Sequence, residues 1–516
     1  MNTSAIVMIA IAIVLYLGMM VAIGVSKSRK NKNTDDFYLG GRKLGPLVTA
    51  MSAEASDMSG WLLMGLPGVA LMSGLAEASW TAIGLAIGTY INWLIVAKRL
   101  RLYSERIGAV TIPEFFTKRF GDGKNVLSLI AAIIIIIFFI PYAASGFAAC
   151  GKLFSSLFDI SYMTAMLISA AVIVLYCTLG GFLAASTTDL IQSIVMTIAL
   201  IVVLGLGFYK AGGIGAVFEN VKGLNGYLNV FQGFDVATGS AGSYGLLPVV
   251  STLAWGLGYF GMPHILLRFM AINEPDKLKT SRRVASVWVV ISMGVAILIG
   301  VVGYSLMNAG VVGPYASSAE SERVIVDFSK FISGKGLIAA FGAGVFLSGI
   351  LASTMSTADS QLIAASSSVT QDIIVNMRKN SLSDQTRMII ARVSVVVIAV
   401  IAVFFARDPS SSVFRIVSFA WAGFGAAFGP VMLFGLFWKR MNKWGALAGM
   451  VSGGAMIFIW KFVIAKLGGV FAIYELLPAF VCACIMIVIV SLLTKEPDGD
   501  VTGVFDEVNA SLQNKG

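Results

Sequence analysis

Met51-Ser-Ala-Glu-Ala-Ser-Asp-Met-Ser-Gly-Trp-Leu-Leu-Met-Gly-Leu-Pro-Gly68 is an apolar run that ought not to work as one. Its length suits a bilayer crossing, yet Glu54 and Asp57 carry charge into it, and Gly60, Gly65, Pro67 and Gly68 interrupt a regular helix. Backbone groups freed by such a break cannot face lipid. Irregular backbone at membrane depth is tolerated only where it lines a cavity inside the protein. A second interrupted run, Trp255-Gly-Leu-Gly-Tyr-Phe-Gly-Met-Pro-His264, follows later in the chain. Paired Gly/Pro-interrupted segments in corresponding positions are the pattern of a transporter built from two inverted repeats, with its binding site at the breaks.

The rest of the chain agrees with a membrane bundle. Of its 516 residues 57% are hydrophobic and only 12% charged, against about 25% charged in soluble domains. Apolar stretches near the bilayer length fall at 4-25, 46-72, 78-97, 126-152, 161-178, 188-208, 243-268, 284-308, 335-366, 387-405, 413-438, 444-466 and 472-493, about thirteen spans of an all-α integral membrane protein. The interrupted runs are then spans 2 and 7. This divides the chain into an extra helix and inner loop (1-45), a first repeat of helices 2-6 (46-210), an outer loop with a second repeat of helices 7-11 (211-440), two further helices (441-494) and a tail (495-516).

The basic balance, 37 Lys+Arg against 27 Asp+Glu, would suggest nucleic acid in a soluble protein. Here it reads as topology, because basic residues are retained on the cytoplasmic side. They gather at Lys27 to Lys43, Lys98 to Lys124, Lys277 to Arg283, Arg378 to Arg387 and Lys439 to Lys443, in alternate loops. The first apolar segment has its positive charges after it, so it reads as a retained helix with the N-terminus outside and the tail inside, in the cell membrane. The polar tail reads as a disordered or exposed stub. The Gly-rich loop 209-242 is expected to carry a short surface helix, and Ser321 to Ile332 an amphipathic helix lying on the outer surface.

Enzyme chemistry finds no foothold. No G-x-x-x-x-G-K-[ST] is present, and Gly423-Phe-Gly-Ala-Ala-Phe-Gly429 has packing rather than dinucleotide spacing. His264 is the only histidine, and Cys150, Cys177, Cys482 and Cys484 sit in apolar segments without metal-ligand spacing. No transition metal, nucleic acid or obligate protein partner is expected, only lipid and a small solute.

The breaks suggest binding groups. A half-helix starting near Ser59-Gly60 offers N–H groups to a carboxylate, and one ending near Ala55 to Met58 offers carbonyls to a cation. In the ninth span, Ser353-Thr-Met-Ser-Thr-Ala-Asp-Ser360 adds hydroxyls. Ser356 and Thr357, with the carbonyls of Ala55, Met58 and Ser353, would make an oxygen shell for a hard cation. Asp57 is expected to attract the cation or to order the break, and Asp189 to lie on its exit path. Glu54 and Asp359 could instead be paired structurally. Trp61, Tyr142, Trp255 and Tyr259 could wall a pocket that attracts an amine and stacks an apolar ring.

The run Ser56 to Gly68, the run Trp255 to Gly261 with Pro263-His264, and Met355-Ser-Thr357 resemble the sodium/solute symporter family, the first two its proline-transporting branch. So do Phe37-Tyr-Leu-Gly-Gly-Arg42, Gly180-Gly-Phe-Leu-Ala184 and Ala420-Trp-Ala-Gly-Phe-Gly-Ala-Ala-Phe-Gly-Pro430. The resemblance runs from about residue 10 to 495. It implies a leucine-transporter-type 5+5 inverted repeat with three added helices, and co-transported sodium held by Ala55, Met58, Ser353, Ser356 and Thr357. It also implies L-proline contacts at Trp61, Tyr142, Trp255, Tyr259 and Pro263. Glu54 stands where that family usually has a small residue, and Asp359 follows the Ser/Thr pair. The rival readings are a symporter of pantothenate, a sugar or another amino acid, a membrane sensor module, and a channel.

Overall fold

The computed structural model describes residues 2–28, 38–236, 238–375 and 382–513. Phe37 of the loop motif and Arg29, Lys30, Lys32, Arg378 and Lys379 of two predicted inner loops lie outside them. The helices are α1 (Thr3–Ser28), α2 (Pro46–Asp57), α3 (Trp61–Ser73), α4 (Leu75–Arg106), α5 (Ile112–Arg119), α6 (Val126–Phe158), α7 (Tyr162–Leu175), α8 (Gly181–Lys210) and α9 (Ile214–Lys222). A hairpin follows, β1 (Gln232–Asp235) with β2 (Ser240–Ser243). Then come α10 (Leu246–Gly261), α11 (Pro263–Ala271), α12 (Pro275–Asn308), α13 (Val324–Ser333), α14 (Leu337–Val375), α15 (Asp384–Phe405), α16 (Val413–Phe437), α17 (Lys443–Phe462), α18 (Leu476–Leu493) and α19 (Gly499–Gln513).

Among the described residues ten helices are long and apolar enough to cross a membrane, or eleven if the bent pair α10–α11 is one span. Each predicted span meets a helix or a helix pair. The predicted spans outside the ten have physical reasons to fall short. Span 46-72 is cut into α2 and α3. Span 161-178 ends before Gly181, whose φ of 68° is open to glycine alone at no cost. Span 243-268 bends by 47° between α10 and α11.

α14 and α16 form the middle of the bundle, with 67% and 78% of their apolar windows buried, whereas α1 and α17 stand at the edge with 28% each. The outer helices show bare apolar side chains such as Val14, Leu15, Val287, Val290, Val400, Ile485 and Ile489. A belt of this kind is stable against lipid and would aggregate in water. α2 is different: Thr49 through Asp57 are all buried, because its polar side chains face other helices.

The interrupted helices lie side by side and run in opposite directions. As the first chain passes through 52, 57 and 61, its partners are 268, 259 and 255. Arg268 Nε donates to Ser52 Oγ (3.0 Å), Tyr259 OH donates to Asp57 Oδ2 (2.8 Å), and the rings of Trp61 and Trp255 are 6.4 Å apart.

Several expectations change. The tail is no stub: α19 docks Phe505 and Val508 into the protein, because Val501, Val504, Phe505, Val508 and Leu512 recur at helical spacing. The loop 209-242 carries α9, and beyond it the unanticipated hairpin begins, held by bonds from Val236 N–H to the Met72 carbonyl and Trp80 Nε1 to the Val230 carbonyl. The segment Ser321 to Ile332 forms α13, but Val324, Ile325, Val326 and Phe328 are buried against protein rather than lying on a surface.

Candidate functional site

At the first break Met58 leaves helical geometry (φ −74°, ψ 70°), its N–H still bound to the Glu54 carbonyl at 2.8 Å. The Ser59 N–H turns back to the Asp57 carbonyl (2.8 Å), and the Leu62 N–H opens the next helix from the Ser59 carbonyl (3.0 Å). The first turn of α3 is a π-turn, Trp61–Gly65, a distortion frequent at functional sites. Gly60 is needed for space: a Cβ there would lie 2.9 Å from the Ala149 Cβ on α6.

The ninth-span hydroxyls meet this break. Ser356 Oγ donates to the Ala55 carbonyl (2.7 Å) and reaches the Ser353 carbonyl (3.2 Å). Thr357 Oγ1 lies 3.4 Å from the Ala55 carbonyl and 3.1 Å from that of Ser353. All four residues are buried. They form a cluster of neutral oxygens joining the end of α2 to the middle of α14, the donor type a hard monovalent cation takes. Met58 is buried at the break, but its carbonyl is not among the oxygens these hydroxyls meet.

Asp57 Oδ2 accepts from Tyr259 OH on α10 at 2.8 Å. The Asp57 carbonyl accepts from Trp61 Nε1 and from Tyr142 OH, each at 3.1 Å. Three of the predicted pocket aromatics therefore converge on one residue. Trp255 stacks outward of them, 5.1 Å from Phe414, 5.4 Å from Tyr474 and 6.4 Å from Trp421. The Trp255 carbonyl accepts from Trp421 Nε1 at 2.7 Å. Pro263 opens α11 beyond the second break, where Met262 is extended. The Ser59 amide is already used within the break, while Ser59 Oγ accepts from the Trp61 N–H at 3.4 Å.

A polar cavity of about 450 Å³ lies outside this aromatic layer, lined by Gly65, Glu77, Trp255, Phe414, Arg415 and Tyr474 among others. Trp255 belongs to its wall. Trp61, Tyr142 and Tyr259 are fully buried behind it. Beside the cavity Lys152 Nζ pairs with Glu322 Oε2 at 2.6 Å, and Glu322 also accepts from Ser412 Oγ and the first N–H groups of α16.

On the opposite side of the break lies a charged cluster. Asp189 Oδ2 accepts from Ser52 Oγ (2.6 Å) and Arg268 Nη2 (3.2 Å), and Arg268 Nη2 also reaches Ser360 Oγ (2.5 Å), which lies 3.1 Å from Asp359 Oδ1. Asp189 is thus fixed by a buried arginine that sequence reasoning passed over. A lone arginine in the apolar run 265-270, with acids at similar depth elsewhere, was the signal for it. Glu54 lies apart from this cluster, bonded by Thr89 Oγ1 (3.0 Å) and Trp93 Nε1 (2.9 Å). Arg42, the last residue of the loop motif, bonds the carbonyls of Met270 (2.6 Å) and Ala109 (2.7 Å), and burial pushes its guanidinium down to about 10.

The model of the Sodium:solute symporter family matches residues 37–453. The chain is similar to a sodium/proline symporter of Haemophilus influenzae, 43% identical over 487 residues, 93% of this chain and 94% of the relative. It is 42% identical over 466 residues to the osmoregulated proline transporter OpuE of Bacillus subtilis, covering 90% of each. It is 41% identical over 479 residues to a sodium/proline symporter of Escherichia coli, covering 93% and 91%. Among solved structures it shares its fold with a Na+-coupled sialic acid symporter in a substrate-bound outward-open state. That match has a TM-score of 0.77 at 18% identity and covers 95% of this chain and 99% of the other. A nucleobase-cation-symport-1 family transporter in a closed conformation matches with a TM-score of 0.57 at 12% identity, covering 93% and 99%.

Proposed function

The chain belongs to the sodium:solute symporter family, and from that premise we propose that it imports L-proline by sodium symport through alternating access. The observation that carries the reading is the near-full-length identity, above 40%, to sodium/proline symporters, supported by an oxygen cluster that joins the two elements a sodium ion would have to link.

In this reading the bundle has about thirteen spans in a leucine-transporter-type arrangement. Residues 46-210 and 211-440 are the inverted repeats, 1-45 and 441-494 the added helices, and 495-516 the cytoplasmic tail. The antiparallel pairing of the broken helices supports it. The N-terminus is outside, and the protein sits in the plasma membrane.

Sodium enters first and is held by Ala55, Ser353, Ser356 and Thr357, with Met58 completing the shell. Binding there ties α2 to α14 and fixes the break. The substrate carboxylate meets the start of α3 at Ser59 and Gly60, where the helix dipole favours an anion. The pyrrolidine ring packs among Trp61, Tyr142, Trp255, Tyr259 and Pro263, whose aromatic faces also attract its amine. Closure over Trp255 shuts the outer cavity. Sodium then leaves past Asp189, and proline follows. Each charge moved through about 100 mV supplies about 2.3 kcal/mol, enough for roughly 50-fold accumulation.

The test is proline uptake into proteoliposomes after a sodium jump, with candidate solutes as competitors. Uptake is expected to require the sodium gradient and to be blocked by excess proline. Accumulation without an ion gradient, or block by another solute but not proline, overturns the reading.

A further inference from the structure

The second break rests on α4, and the two helices run in parallel with matched spacing. A Cβ on Gly84 would meet the Leu253 carbonyl oxygen at 2.6 Å, and one on Gly88 would overlap the Gly256 backbone. Four residues further along α4, Asn92 Nδ2 donates to the Tyr259 carbonyl at 2.9 Å. The contacts therefore fall at 84, 88 and 92 on α4 and at 253, 256 and 259 on α10. The unequal steps fit because this part of α10, Ala254–Gly261, is a 3-10 helix. Three residues of 3-10 helix rise about 6 Å, and so do four residues of α-helix.

Close packing accounts for the two glycines but not for Asn92. A third small residue would continue the stripe, whereas a buried amide has to find a partner. Asn92 and Tyr259 are both fully buried, and the amide meets the carbonyl that the break leaves over. In a continuous α-helix the Tyr259 carbonyl would accept from residue 263, and Pro263 has no N–H. The Asn92 amide stands in for that donor. One turn earlier, Trp421 Nε1 meets the Trp255 carbonyl in the same way. The connection continues through the Tyr259 side chain, whose hydroxyl donates to Asp57 Oδ2 and whose ring lies edge-on to Trp421. Thr89 and Trp93, which share a face of α4 with Asn92, bond Glu54 of α2. One face of α4 thus holds both broken helices.

We propose that Asn92 is a positioning residue of the substrate site. Gly84 and Gly88 let the 3-10 segment lie directly on α4, a contact without direction that leaves α10 free to slide or turn. The Asn92 amide fixes one height and one rotation, and these place the Tyr259 ring in the pocket. Without the amide the Tyr259 carbonyl is buried with no donor, and α10 shifts to satisfy it. Asn92 acts through Tyr259 and does not itself meet the solute. The inference rests on the symport reading, in which Tyr259 contacts proline.

The test is proline uptake by purified variants in proteoliposomes at saturating sodium. Asn92→Ala and Asn92→Leu both remove the amide, the first leaving space and the second filling it, and either one that folds suffices. Each is expected to raise the apparent proline constant by about 5- to 30-fold, with a smaller change in maximal rate per folded protein. A merely structural role would lower the yield of folded protein and leave the constant alone. The second arm repeats the change in Tyr259→Ala. Because Asn92 acts through Tyr259, the substitution is expected to add less than about twofold there. A wild-type proline constant in either single variant, or a full further shift on top of Tyr259→Ala, overturns the positioning role. If the wild type shows no sodium-driven proline uptake, the symport reading falls and takes the positioning role with it. Sodium-driven uptake with wild-type constants in the Asn92 variants removes the positioning role alone.

Discussion

At the scale of single residues, the oxygens around the first break make different predictions from the rings beside them. Thr357 Oγ1 stands between the Ala55 and Ser353 carbonyls. Removing a hydroxyl that serves a charged group costs about 1.5–3 kcal/mol. Thr357→Ala is therefore expected to raise the apparent sodium constant by about 10- to 100-fold, and Thr357→Ser to restore most of it. Proline uptake rates across a sodium titration check this, and an unchanged constant in the alanine variant would remove Thr357 from the site. Tyr259 has two functions, a ring in the aromatic layer and a hydroxyl on Asp57. Tyr259→Ala loses both and is expected to raise the apparent proline constant. Tyr259→Phe keeps the ring but leaves the buried Asp57 carboxylate without its donor, a loss of about 1–3 kcal/mol, so its main effect falls on sodium dependence. If the two variants shift both constants alike, the separation of roles fails. Individual residues were legible where chemistry forces position, as with acids and hydroxyls in an apolar run. Their partners were less so, since Glu54 meets Thr89 and Trp93 across distances that no local pattern encodes.

At the scale of elements, glycines decide how closely the broken helices pack. Gly258 accommodates the indole of Trp421, and a Cβ there would overlap its nitrogen. Gly60 is packed against Ala149, so Gly60→Ala is expected to open the contact between α3 and α6 and abolish most transport. Ala149→Gly costs up to about 1 kcal/mol in helix propensity, yet in combination with Gly60→Ala it returns the lost space. The double variant should recover transport that the single variant lacks, the non-additive coupling of residues in contact. No recovery would mean that Gly60 acts through its backbone and not through space. The end of α2 at Asp57 and the 47° bend between α10 and α11 coincide with Gly and Pro in the sequence, residues that weaken or remove the helical backbone bonds. The hairpin was not readable: Gln232 to Asp235 and Ser240 to Ser243 lack apolar alternation, and tertiary bonds from α3 and α4 hold it. The amphipathic spacing of α19 was present in the sequence, but the charges around it obscured the apolar stripe.

Across the whole molecule, the tail connects elements that lie far apart in the chain. Phe505 of α19 sits under two guanidinium groups, 5.7 Å from Arg99 and 5.1 Å from Arg119. Arg106 pairs with Glu507 and Lys439 with Asp506 at the surface. The helix therefore bridges the ends of α4, α5 and α16. Magnitudes decide which contact holds it. Exposed ion pairs are worth about 0–1 kcal/mol each and weaken with salt. Burying a phenylalanine is worth about 1.5–3 kcal/mol, and each cation–π contact adds about 0.5–1 kcal/mol. Glu507→Gln should leave the tail docked, even at high salt, whereas Phe505→Ala should release it. Protease cleavage near residues 495–498 reads the difference. On the proposed topology, which puts the tail on the cytoplasmic face, cleavage of Phe505→Ala should occur in inside-out vesicles and not in right-side-out ones. Equal release by Glu507→Gln would place the docking energy in the ion pairs, and cleavage from the right-side-out face would invert the topology.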